Sequence, residues 1–88
     1  MTLAVPTIHL NGTSADSLTD TWETAYFKLT EAYEALKQCA PNGRDYYPQT
    51  TEVMKKATDE HMSRLQRIDD IKAELEQLCE AVNAQTSR

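Results

Sequence analysis

From Leu18 onward the residues Leu18, Trp22, Ala25, Leu29, Ala32, Leu36 and Cys39 recur at alternating steps of four and three. That spacing places all seven on one stripe of an α-helix. A second line runs Met54, Ala57, His61, Leu65, Ile68, Ile71, Leu75, Leu78 and Val82 with the same helical period. Between them Pro41-Asn42-Gly43-Arg44-Asp45-Tyr46-Tyr47-Pro48 breaks the pattern, since Pro, Asn and Gly each oppose helix continuation for their own steric reasons. The pattern predicts a helix over 14–40, a loop over 41–48 and a helix over 49–84, an all-α antiparallel hairpin spanning 13–88.

Residues 1–12 read differently. Pro6 and the alternation of Val5, Thr7 and His9 against Ile8 and Leu10 suit an extended N-terminal arm, which Asn11-Gly12 turns into the first helix. Thr13 or Ser14 can cap that helix, with Asp16 and Asp20 at the positive end of its dipole, and Thr50 or Thr51 can cap the second. Tyr26, Phe27 and Tyr33 widen the first stripe, and Met62 and Cys79 the second. One antiparallel partner helix cannot cover so much apolar surface, and 88 residues make a marginal core. Assembly into a helical bundle oligomer is therefore expected, two hairpins forming a four-helix bundle being the simplest closed form.

Charge narrows the partners. Fourteen Asp and Glu against nine Lys and Arg leave −5, with both signs interspersed along the helices, which disfavours duplex nucleic acid and anionic membrane surfaces alike. No apolar run approaches the roughly 18 residues of a membrane span, and the N-terminus lacks the pattern of a signal peptide, so a cytoplasmic location is expected.

The chemistry-bearing residues are sparse. Cys39 and Cys79 fall at opposite ends of the hairpin and read as reduced thiols beside the apolar stripes. Thr58 stands three positions before His61, where a carboxylate-bridged di-metal bundle would carry Glu, and the histidines are isolated. With no paired nucleophile and base, and two glycines in all, no catalytic residue, metal or cofactor is assigned and the protein is read as non-enzymatic.

Three groups suit a ligand instead. Arg44, Tyr46 and Tyr47 set a guanidinium fork and two aromatic faces between prolines, a combination that grips phosphate and stacks on a base. In the bland alternative Arg44 and Asp45 pair with each other or with helix ends, and the tyrosines plug the open end of the bundle. His9, Asn11 and Thr13 border a helix N-terminus, where backbone amides favour anions, although most such termini bind only water. His61 and Arg64 form a third grouping, suited to an anion at a subunit interface or to a satisfied interfacial histidine. The first two groups lie at opposite ends of one hairpin, so they form a single site only if an antiparallel neighbour or the arm itself brings them together.

The segments His9-Leu10-Asn11-Gly12-Thr13-Ser14 and Pro41-Asn42-Gly43-Arg44-Asp45-Tyr46-Tyr47-Pro48-Gln49, bracketing the first helix, resemble a family of small bacteriophage and prophage proteins. The resemblance covers most of the chain and implies a phage setting, without supplying an activity. Small helical phage proteins often inhibit host defence stoichiometrically. Together with the groups above, this setting leads to the expectation of an oligomer that sequesters a nucleotide-like or otherwise phosphorylated small molecule. The alternatives are a protein-binding inhibitor of a host factor and a small virion or assembly protein.

Overall fold

In a computed structural model, which describes residues 3–86, the chain forms α1 (Ala15–Lys37), the single-turn α2 (Gly43–Tyr46) and α3 (Thr51–Thr86). The all-α hairpin expected from the periodicity is present, with a third, short helix inside the stretch read as loop. Asn42 creates it: its side-chain oxygen accepts the Arg44 N–H at 2.8 Å, and its carbonyl accepts the Asp45 N–H at 3.0 Å. An Asx cap followed by a residue free to turn closes one helical turn before Pro48.

Each long helix begins at a side-chain cap. Ser14, in extended backbone, accepts the Ser17 N–H on its hydroxyl at 3.1 Å and the Leu18 N–H on its carbonyl at 3.0 Å. Of the two cap candidates it is thus Ser14 that serves, and Thr13 stays outside the helix. Thr50 does the same for α3, its hydroxyl accepting the Val53 N–H at 3.3 Å. The end of α1 falls at Lys37, ahead of the expected Ala40, because the chain tightens there. The N–H groups of Gln38, Cys39 and Ala40 reach back three residues, to Ala35, Leu36 and Lys37, in the narrower 3₁₀ pattern.

α1 and α3 pack antiparallel, and burial fixes the line of contact. On α1 it runs Ala15, Thr19, Trp22, Tyr26, Leu29, Tyr33 and Leu36; on α3 it includes Leu65, Ile68, Lys72, Leu75, Cys79 and Val82, all buried or half-buried. Both lines repeat every seven residues, the period of helices that stay in contact by coiling around each other. Ala32 and Cys39 of the expected stripe are exposed, and Ile71 lies 46% exposed beside the half-buried Lys72. The reason is visible at Lys72, whose ammonium sits 4.8 Å from the Tyr26 ring centroid and 5.7 Å from that of Tyr33. Its aliphatic stem fills the seam while the charge rests on two aromatic faces. Thr19 is tolerated in the seam because its hydroxyl donates to the Ala15 carbonyl at 3.0 Å.

The arm is tied to the far end of α3. The Gln85 side chain donates to the Pro6 carbonyl at 2.8 Å and accepts the Ile8 N–H at 2.9 Å, so one amide satisfies two arm backbone groups. The result is a rod of 62 × 24 × 20 Å.

Its core is thin. Among the described residues only Ala15, Ala57, Leu65 and Val82 are buried apolar side chains, joined by the polar Thr19 and His61. The accessible surface is 6850 Å² for a 10.0 kDa chain. A folded monomer of that mass exposes roughly 5200 Å². The surplus, roughly 1600 Å², is about twice what one partner contributes to a standard interface.

Candidate functional site

At the loop end, the capped turn of α2 holds Arg44 and Tyr47 out into solvent, Tyr47 at 87% exposure, while Tyr46 is half-buried. The turn is closed on its far side by the Gln49 N–H, which donates to the Tyr46 carbonyl at 2.9 Å. The salt bridges among the described residues join Lys28 to Glu31, Lys37 to Glu34 and Lys55 to Asp59, so Arg44 is not paired with its neighbour Asp45. The Arg44 guanidinium and the Tyr47 ring are therefore both solvent-exposed beside a hydrogen-bonded turn.

At the arm end, residues His9 to Gly12 form a β-turn in which the Gly12 N–H donates to the His9 carbonyl at 3.1 Å. The imidazole folds over Gly12, so that a Cβ added there would lie 2.7 Å from His9 Nε2. A side chain at position 12 would displace the exposed His9 imidazole from this position. Asn11 and Thr13 are exposed beside it, and the Ser14 hydroxyl is already engaged as the helix cap.

The third grouping separates. His61 is 5% exposed on the packed line of α3. Arg64 faces outward in a polar strip with Lys55, Lys56 and Arg67, interleaved with Asp59 and Glu60. Arg44, Tyr46 and Tyr47 thus share the loop end and His9, Asn11 and Thr13 the arm end, as sequence neighbours, with the two groups at opposite ends of the rod.

A further concavity was not legible in the sequence. Between α1 and α3, in the half nearer the arm, Trp22, Tyr26, Phe27, Leu75 and Cys79 line a groove of about 490 Å³ rimmed by Glu23, Glu76 and Glu80. Tyr26 and Phe27 meet edge to face, ring centroids 6.1 Å apart at 89°. Phe27 remains 64% exposed. Hydrogen bonding to Glu76, then partial burial and the charges of Glu76 and Asp69, push the Tyr26 hydroxyl above its ordinary value of 10.0. Burial, with Glu23 adding to it, raises the Cys79 thiol above 9.0. Both groups are held in their neutral, protonated forms. The wide spacing of Tyr26 and Phe27 from the expected stripe was the available signal, but the groove needs the register of both helices to appear.

Among the described residues no three His, Cys, Asp or Glu side chains gather to hold a metal ion, and no helix is long and apolar enough to cross a membrane. Fold and surface define a helical hairpin with exposed polar and aromatic side chains at its two ends and an open aromatic groove on its flank. The chain matches no family model, no curated protein and no solved structure.

Proposed function

We propose that this chain is a non-enzymatic phage accessory protein that works as an oligomer and sequesters a nucleotide-like or phosphorylated small molecule. The observation that carries the oligomer is the mismatch between four buried apolar side chains among the described residues and 6850 Å² of exposed surface. A hairpin so poorly enclosed gains its stability from a neighbour, as helices generally do from packing rather than propensity.

The ligand reading rests on the two ends. Arg44 offers a bidentate grip on phosphate and Tyr47 a free face for stacking, while His9, Asn11 and Thr13 add polar groups around a helix N-terminus. Copies arranged antiparallel bring the arm end of one beside the loop end of the other and so complete a site from both clusters, which one rod separates. Arg64 adds a cation on the outer polar strip of α3, whereas His61 is buried within the hairpin and takes no part in the ligand reading. The phage setting rests on the resemblance of the two motifs that flank α1, and the action on host defence on analogy with other small helical phage proteins of this size and setting.

Native mass spectra of the protein purified from its host, before and after denaturation, test this reading. A nucleotide-sized mass retained on a defined oligomer and lost in Arg44→Ala, with the oligomer intact, supports it. An oligomer with no adduct moves the function to a protein partner in the host. Loss of assembly in Arg44→Ala assigns that residue to structure.

A further inference from the structure

The charge along the rod is strongly polarised. The half nearer the arm, residues 15–31 and 68–86, holds nine carboxylates against only Lys28 and Lys72. The half nearer the loop, residues 32–67, holds five carboxylates against six Lys and Arg. The formal charges are therefore −7 and +1.

The groove belongs to the acidic half. Its aromatic floor carries the exposed Phe27, and its rim is Glu23, Glu76 and Glu80. Lys55, Met62, Asp69 and Glu76 follow one another at seven-residue spacing, which keeps them in one line along α3. The groove's flank therefore continues, toward the loop, into a lysine and a methionine that is 57% exposed. Acid and aromatic at one end of this flank face, when the rod is reversed, base and thioether at the other.

We infer that a second copy of the chain seats antiparallel on this flank, the Lys55–Met62 segment of each copy lying against the Trp22–Phe27–Cys79 groove of the other. This rests on the reading of the chain as an oligomer and gives that oligomer a face and a direction. A two-fold arrangement uses each complementary pair twice. Surface charges are screened beyond roughly 8 Å at physiological salt, so what counts is the charge directly opposite. A parallel copy sets −7 against −7; an antiparallel copy sets −7 against +1 at both ends. Methionine fits an aromatic floor through sulfur–ring contact. The surplus surface is ample for such an interface.

Orientation and charge can be read separately. A Cys79→Ser chain, spin-labelled at Cys39 in the loop half, is mixed with an isotope-labelled copy whose amides are observed by NMR. The antiparallel seat predicts broadening of α3 amides in the arm half, residues 69–86. A K55E/K56E/R64E/R67E variant, checked for retained helix by circular dichroism, should dissociate at low salt with a Kd raised about tenfold or more. Broadening confined to the loop half overturns the orientation and leaves the oligomer standing. A helical reversal variant that associates as tightly as the parent overturns the charge basis. A sample that is monomeric throughout overturns both this inference and the oligomer it rests on.

Discussion

Gln85 holds the arm with one side chain, and its removal isolates what the arm owes to polar anchoring. Gln85→Ala abolishes the bond to the Pro6 carbonyl at 2.8 Å and the bond from the Ile8 N–H at 2.9 Å. Each such bond is worth about 0.5–1.5 kcal/mol net. Their joint loss should destabilise the docked arm by about 1–3 kcal/mol, a factor of roughly 5 to 150 in the opening equilibrium. The hairpin itself should be nearly unaffected, because the seam of α1 and α3 contains no arm residue. Hydrogen exchange followed by NMR gives both readings in one sample. The Ile8 amide should lose protection by that factor while the amides of Leu65 and Ile68 keep theirs. Gln85→Glu refines the test, since its carboxylate still accepts from Ile8 but cannot donate to Pro6 at neutral pH. If Ile8 exchanges at the parental rate in Gln85→Ala, the arm is held by the half-buried Leu3, Pro6 and Ile8 side chains, and the polar account fails.

Other perturbations probe the seam. Leu65→Ala, at a side chain 7% exposed, should cost about 2–5 kcal/mol in denaturant unfolding; a loss below about 1 kcal/mol would mean that the seam is not the core. Ser14→Ala removes the cap of α1 and should cost about 1 kcal/mol, with fraying confined to the first turn by amide exchange. Tyr26 and Cys79 are both held protonated by the fold, so stability should be level below about pH 9 and fall as the pH rises through their raised folded values. Tyr26→Phe with Cys79→Ser should flatten the alkaline limb of a stability–pH curve, and an unchanged limb would assign it to other groups.

The helical hairpin was legible because helix periodicity survives in a sequence even where individual positions mislead. Two caps, Ser14 and Thr50, were among the named alternatives, since hydroxyl residues ahead of a periodic run carry their own mechanism. The seam was harder to read. Thr19 and Lys72 occupy it as polar residues made tolerable by a hydroxyl bond to a preceding carbonyl and by two aromatic faces, features that depend on three-dimensional register. A stripe assigned by hydropathy therefore took Ala32 and Ile71 in preference to Tyr33 and Lys72. The single turn at Gly43–Tyr46 hid within a segment whose Pro and Gly content argued for loop, although Asn42 supplied the cap. Of the candidate site residues, Arg44 and Tyr47 stand exposed with Tyr46 half-buried at the loop end, while His9, Asn11 and Thr13 are exposed at the arm end, and His61 is buried apart from the exposed Arg64. The aromatic groove was missed because its two walls lie about fifty residues apart in the chain, joined only by helix pairing.

The claim at the centre of this account is that one hairpin is not enough. Sedimentation equilibrium at micromolar concentration, with helicity recorded on the same samples through a dilution series, tests it most directly. The account predicts a mass at least twice 10.0 kDa and an integral multiple of it, with helix lost as dilution dissociates the assembly. A stable, fully helical species of 10.0 kDa at every concentration would contradict it.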